Sequence, residues 1–125
     1  MFYICNTIPD ENNKKKEGFL NILTIREKAL EAKFHHEKLI EYKILARRNH
    51  LLGLWAAHYL HYAHEQAEAY ARLFVGGVYA TFEGHAIVMQ IKQDFSQHTV
   101  DMSEHRIRRQ LYYCHQDASE QILKE

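Results

Sequence analysis

Proline is almost missing from this chain: Pro9 is the only one, so no obligate helix breaker follows it. Glycine is scarce as well, five in 125 residues, and the two shortages together point to an all-α fold. Cysteine is limited to Cys5 and Cys114, which match no CxxC or zinc-type spacing. A disulfide framework is thereby excluded and a reducing cytosol fits best. Long apolar runs are missing too. Phe19-Leu-Asn-Ile-Leu-Thr-Ile25 is far shorter than the roughly 20 residues a membrane-spanning helix needs. At the start, Met1-Phe-Tyr-Ile precedes Lys14-Lys-Lys16, the reverse of the charge order in a secretory signal. Neither export nor membrane insertion is expected. An excess of one charge is also lacking, since sixteen basic residues balance sixteen acidic ones; neither a nucleic acid nor an anionic membrane is an expected partner.

What the chain does have is helical periodicity. Its length suits one domain and is too short for two separate cores. Residues 1–23 mix Asn, Asp, Glu, Lys and Pro without a sustained period, which reads as a flexible N-terminal extension. Residues 24–125 read as a single helical-bundle domain. Thr24 is an expected N-cap, with Glu27 three residues on as in a capping box. One long helix should run from there to about His61, with Gly53 its only weak point. Within it Leu45, Leu52, Trp55 and Tyr59 share a face that should enter the core; Trp55 alone can bury on the order of 200 Å², so its replacement by Ala should be among the most damaging changes.

Three further stripes follow. Ala67, Ala71, Phe74, Val78 and Phe82 predict a second helix closed by Gly84; Ile87, Ile91 and Phe95 predict a third and shorter one. Ser96, Thr99, Asp101 and Ser103 form a polar break, and Ile107, Leu111, Cys114, Ala118 and Ile122 mark the last helix, with Cys114 on its buried side. Four amphipathic helices that cannot hide their apolar faces alone make a four-helix bundle with a long first helix. The part of that helix before about Leu39 lacks an equally strong apolar face.

Ten histidines invite a metal reading, yet His58, His61 and His64 span about 600° of helical rotation, leaving the first and last about 120° apart. No histidine has Glu three residues before it, and His-Glu-x-x-His does not occur. No phosphate-cradling glycine loop, nucleophile elbow or activated cysteine is visible, and Gly76-Gly77 lies inside a helical stripe. The chain reads as a non-enzyme without cofactor or metal. Arg47, Arg48 and Asn49, like Arg106, Arg108 and Arg109, read as a solvated face or as partners of nearby Glu.

Three strings stand out together: Arg26-Glu-Lys-Ala-Leu-Glu-Ala-Lys-Phe34, Ala46-Arg-Arg-Asn-His-Leu-Leu-Gly-Leu-Trp-Ala-Ala57 and Ala67-Glu-Ala-Tyr-Ala71. With Ser103-Glu-His-Arg-Ile107 and Gln121-Ile122, they resemble the zeta subunits that inhibit ATP hydrolysis by the F-type ATP synthase of alphaproteobacteria. The resemblance covers roughly residues 24 to 123. It implies a regulatory subunit, monomeric when alone, peripherally associated with the membrane-bound synthase in the cytoplasm. Its partners would be the catalytic and central-stalk subunits, and residues 24–38 would be the inhibitory segment. Carried onto this chain, the inhibitory positions are Arg26, Glu27, Ala29, Glu31, Ala32, Lys33 and Phe34, with Leu30 and Phe34 as apolar anchors. Arg47, Arg48, Asn49, Leu52, Gly53 and Trp55 match the family's structural motif. Leu30 stands where the family usually has Phe, and the segment from His58 to His64 replaces a turn that usually carries Gly. The alternatives are a helical binding module or scaffold without inhibitory activity, and a metal-dependent bundle enzyme.

Overall fold

The computed structural model describes residues 11–125, with side chains from residue 18 onward. Helix α1 runs Glu11–Tyr59, α2 His64–Arg72, α3 His85–Gln97 and α4 Glu104–Leu123, with a 3-10 turn at Gly77–Tyr79. The described residues contain no strand, so the all-α four-helix architecture with a long first helix is the fold. The chain divides into two units, one ending at Lys38 and one spanning Leu39–Glu125, and α1 contributes to both.

Helix α1 begins well before Thr24. Between Glu11 and Thr24 stand no proline and one glycine, Gly18, so nothing stops the helix from extending. Thr24 is therefore not a cap: its hydroxyl donates to the Leu20 carbonyl one turn back at 2.9 Å, the usual habit of a mid-helix Thr. Residues 11–23 of the expected extension thus belong to α1, while residues 1–10 lie outside the described residues.

In the Leu39–Glu125 unit, α1 buries Leu45, Arg48, Asn49, Leu52, Gly53, Ala56 and Ala57, and Leu60 just past its end is buried too. That stripe recurs every three to four residues, as a helix facing a core requires. Trp55 and Tyr59 are only partly buried. They pack against the buried cluster, with Trp55 edge-on to Tyr59 at 5.1 Å and to Phe95 at 5.9 Å between ring centroids. Where α2 comes closest, at Gly53, there is no room for a side chain. A Cβ on Gly53 would stand 2.7 Å from the Cα of Ala71, so here glycine is a packing requirement and not a weak point.

The expected second helix is half right. Ala71 and Phe74 are buried, but α2 ends at Arg72, and Val78 and Phe82 are each 71% exposed. α2 has already ended at its C-cap Leu73, and Gly77, at a left-handed φ of 66°, opens a separate 3-10 turn, so Val78 and Phe82 do not continue the α2 stripe. Gly84, also at φ 66°, is the N-cap of α3 and does not close α2. A side chain there would collide with Leu111. The third and fourth stripes hold: Ile87, Val88, Ile91 and Phe95 line α3, and Ile107, Leu111, Cys114, Ala118 and Ile122 line α4, all buried. Ser103 caps α4 by accepting from the Arg106 N–H at 3.2 Å.

An irregular stretch between Phe74 and Gly84 leaves backbone carbonyls without helical partners, and buried carbonyls need donors. Arg48 and Asn49 supply them. Arg48 Nη2 and Nη1 donate to the Thr81 and Phe82 carbonyls at 2.7 and 2.9 Å, and its Nε to Asn49 Oδ1 at 2.9 Å. Asn49 Nδ2 donates to the carbonyls of Phe74 at 2.9 Å and Tyr79 at 2.7 Å. Both side chains are buried, at 1% and 0% exposure, so the expectation of a solvated arginine pair fails for Arg48. Arg47 alone behaves that way, bonding Gln121 at 2.8 Å near the chain's end. Arg108 pairs with Glu104 at 3.0 Å, as expected of an arginine one turn from a glutamate.

Candidate partner-binding segment

Every described side chain of α1 from Gly18 to Leu39 is exposed. Arg26, Glu27, Ala29, Leu30, Glu31, Ala32, Lys33 and Phe34 all lie in this run and keep the helical geometry expected of them. Leu30 and Phe34 stand four residues apart, one turn, so they are neighbours on one face. Their exposures are 67% and 61%, very high for side chains of this kind side by side. Lys38 places its ammonium 5.6 Å from the centre of the Phe34 ring, a contact that covers one side of the ring with a solvated cation. Arg26 lies one turn before Leu30 on the same face. Glu27, Glu31 and Lys33 surround it, so the apolar pair sits in a frame of both charges.

The sequence reading missed part of this surface. Phe19, Leu20, Ile22, Leu23 and Ile25 are exposed at 63, 59, 57, 37 and 66%, and they belong to the same helix. Leu23 precedes Leu30 by seven residues, so Leu23, Leu30 and Phe34 make a stripe on one side. The signal was present in the spacing, but a helix start assumed at Thr24 left Leu23 outside it.

The other motif residues have a different place. Arg48, Asn49, Leu52 and Gly53 are buried, and Trp55 is partly so; Arg47 is half exposed. Burial pulls the Arg48 guanidinium down from its ordinary value, opposed by the neighbouring Cys114. Burial also pushes the Cys114 thiol up to about 11, which keeps it protonated and unreactive at neutral pH. It is the small core residue that its spacing predicts; Cys5 lies outside the described residues. His115 is lowered by burial and then by Arg48. His50 holds α1 to α2 by bonding Glu68 at 3.0 Å, and that bond lowers the Glu68 carboxyl.

The histidines near the end of α1 are separated by a turn, with His61 at a left-handed φ of 60°. Among the described residues no three His, Cys, Asp or Glu side chains converge as metal ligands would, and no helix is long and apolar enough to cross a membrane.

A run of helix that offers apolar and charged side chains to solvent, and a separate unit braced by buried polar residues, define a regulatory or binding protein of the helical class. Residues 21–121 match the family model of ATPase inhibitor subunit zeta, and the chain belongs to that family. No curated protein matches the chain, and no solved structure does. The family is one of inhibitory subunits, so the role is regulation of an ATPase. Arg48 and Asn49 in the family-motif string are thus buried braces of the fold, and the segment from Arg26 to Phe34 is an exposed part of the match.

Proposed function

We propose that this protein inhibits ATP hydrolysis by the F-type ATP synthase of an alphaproteobacterium by inserting residues 24–38 of α1 between subunits of the catalytic head, next to the central stalk. The observation that carries the reading is the exposure of Leu30 and Phe34, 67% and 61%, within a mixed-charge helical frame. A helix that presents apolar side chains one turn apart can lay them in a groove as anchors. Leu30 and Phe34 bury on insertion; Arg26, Glu27, Glu31 and Lys33 set register through charge pairing at the rim, and Ala29 and Ala32 allow close approach of the partner's backbone. The Leu39–Glu125 unit anchors the complex from outside. Rotation in the hydrolytic direction is then blocked by a wedge and not by chemistry.

The test is ATP hydrolysis by a synthase head depleted of its own zeta subunit, with three additions compared: the whole protein, the chain cut back to begin near Leu39, and the full chain carrying Leu30→Ala with Phe34→Ala. Inhibition by the whole protein and its loss in both variants is the expected result. Helical content and melting of each variant are checked alongside. Equal inhibition by the truncated chain overturns the insertion reading and moves the inhibitory surface to the bundle. If the intact protein binds the head without slowing hydrolysis, it is a binding module.

A further inference from the structure

Within the Leu39–Glu125 unit, the end of α2, the Gly77–Tyr79 turn and α3 enclose a recess of about 420 Å³. Four Tyr and Phe rings line it, beside Leu73, Gln90, Asp94, Gln97 and His98. Tyr62, Tyr70, Phe74 and Tyr79 follow one another edge to face, with centroids 5.5, 5.1 and 5.0 Å apart and planes inclined by 68°, 80° and 84°. Rings so steeply inclined line the recess in more than one plane, and aromatic faces are electron-rich.

The same recess holds the Asp94 carboxylate. Its Oδ2 accepts from the Tyr70 hydroxyl at 2.6 Å and its Oδ1 from Gln90 Nε2 at 3.0 Å. Both donors are neutral, and the ion pairs among the described residues leave Asp94 out. Burial, and then the bond to Asp94, push the Tyr70 phenol well above its ordinary value, so the proton stays on tyrosine. His98 is engaged elsewhere: its Nδ1 meets the Asp94 backbone carbonyl at 2.9 Å, and its ring lies edge-on to Tyr62 at 5.9 Å. Leu73, 65% exposed, adds an aliphatic wall.

We propose that this recess binds an organic cation, an alkylammonium or guanidinium group carried on an aliphatic stem. The chemistry selects against other ligands. An anion would face an unpaired carboxylate, and a neutral apolar ligand would strip water from that carboxylate without replacing it. A hard metal ion needs some six oxygen ligands, and among the described residues no three His, Cys, Asp or Glu side chains converge to hold one. A soft organic cation gains from both the charge and the ring faces. The inference is independent of the inhibitory segment.

The group can come from a free small molecule or from a lysine or arginine of a partner protein, and two probes separate these sources: tetramethylammonium and Nα-acetyl-arginine amide. Each is titrated into the full-length protein at about pH 8, where histidines are neutral, while amide and tyrosine ring signals are followed by NMR. Saturable shifts centred on Tyr62, Tyr79 and Gln90, with a dissociation constant on the order of millimolar, are expected. A tighter fit for the arginine amide assigns the group to a protein side chain, and a tighter fit for tetramethylammonium to a small molecule. Asp94→Asn keeps an acceptor for Tyr70 and should weaken binding about tenfold with the melting temperature little changed. Tyr62→Leu, at the partly exposed end of the ring series, is the second variant and should weaken it comparably. The proposal is overturned if neither probe saturates by about 50 mM, if tert-butanol shifts the same signals equally, or if both variants bind as the parent does.

Discussion

Helix α1 is two different objects in one continuous element. From Gly18 to Leu39 all its side chains face solvent; from Leu45 onward it carries a buried stripe that includes an arginine and an asparagine. Short isolated helices are marginal in water, and most helical stability in proteins comes from packing one face. The second part has that packing. The first has strong helix formers, one cation–ring contact at Phe34 and exposed apolar side chains, so its sequence suits a partner's surface better than its own fold. Stability and function should therefore separate along the helix.

The largest effect should come from Arg48→Ala. It removes the donors to the Thr81 and Phe82 carbonyls and frees Asn49 Oδ1, leaving buried acceptors unpaired at a cost of about 3 kcal/mol or more. Urea unfolding should show the midpoint falling with the slope unchanged. A loss under about 1 kcal/mol would mean that water reaches those carbonyls and that the brace is dispensable. Beside it, the pair Leu30→Ala and Phe34→Ala should shift stability by no more than about 0.5 kcal/mol each, while inhibition falls. If those two variants unfold the chain, the division of α1 is wrong.

Next in size is Gly53→Val. Its first carbon would already stand 2.7 Å from the Cα of Ala71, so the backbones of α1 and α2 must part, at about 1–3 kcal/mol. A variant as stable as the parent would show that α2 can shift freely.

The same comparison explains what the sequence disclosed. Periodicity revealed α3 and α4 with their buried sets because each is a plain amphipathic helix whose apolar stripe needs no other information. It failed where two helical rules gave way to tertiary demands. Val78 and Phe82 kept the spacing of Phe74, yet α2 ends at Arg72 and a separate turn begins at the left-handed Gly77, and side chains of α1 far away in sequence satisfy the released carbonyls. A polar pair inside a buried stripe looks, in a single sequence, like an exposed arginine patch. In the candidate segment, Leu30 and Phe34 were legible from the family string, whereas Leu23 was lost with the assumed cap at Thr24. The recess around Asp94 was not legible at all, since Tyr62, Tyr70, Tyr79 and Asp94 come from four different stretches of chain.

A smaller effect separates the core at high pH. Cys114 has its proton affinity raised from the ordinary 9.0 to about 11 by burial. A group raised in the folded state contributes stability that is whole below its unfolded value and is lost as pH climbs toward the folded one. Stability should therefore decline between 9.0 and about 11, and Tyr70, raised for the same reason, adds a decline of the same sign. Cys114→Ala should flatten part of that slope in chemical denaturation at a series of pH values. An unchanged slope would assign the alkaline loss to Tyr70 alone.

The smallest effect belongs to Arg47, which stands beside Arg48 and differs from it in every respect that sets energy. Its guanidinium reaches Gln121 at 2.8 Å and Glu125 at 3.4 Å, with Arg47 38% and Glu125 58% exposed. Water competes for both contacts and salt screens the charged one, so Arg47→Ala should cost less than about 1 kcal/mol, and less again at high salt. One residue of sequence, about 100° of helix, thus divides a surface contact from a structural brace. Should Arg47→Ala match Arg48→Ala in urea, the end of α4 must be held by Arg47 as firmly as the Phe74–Gly84 stretch is by its neighbour, and burial would no longer predict which arginine of the pair the fold depends on.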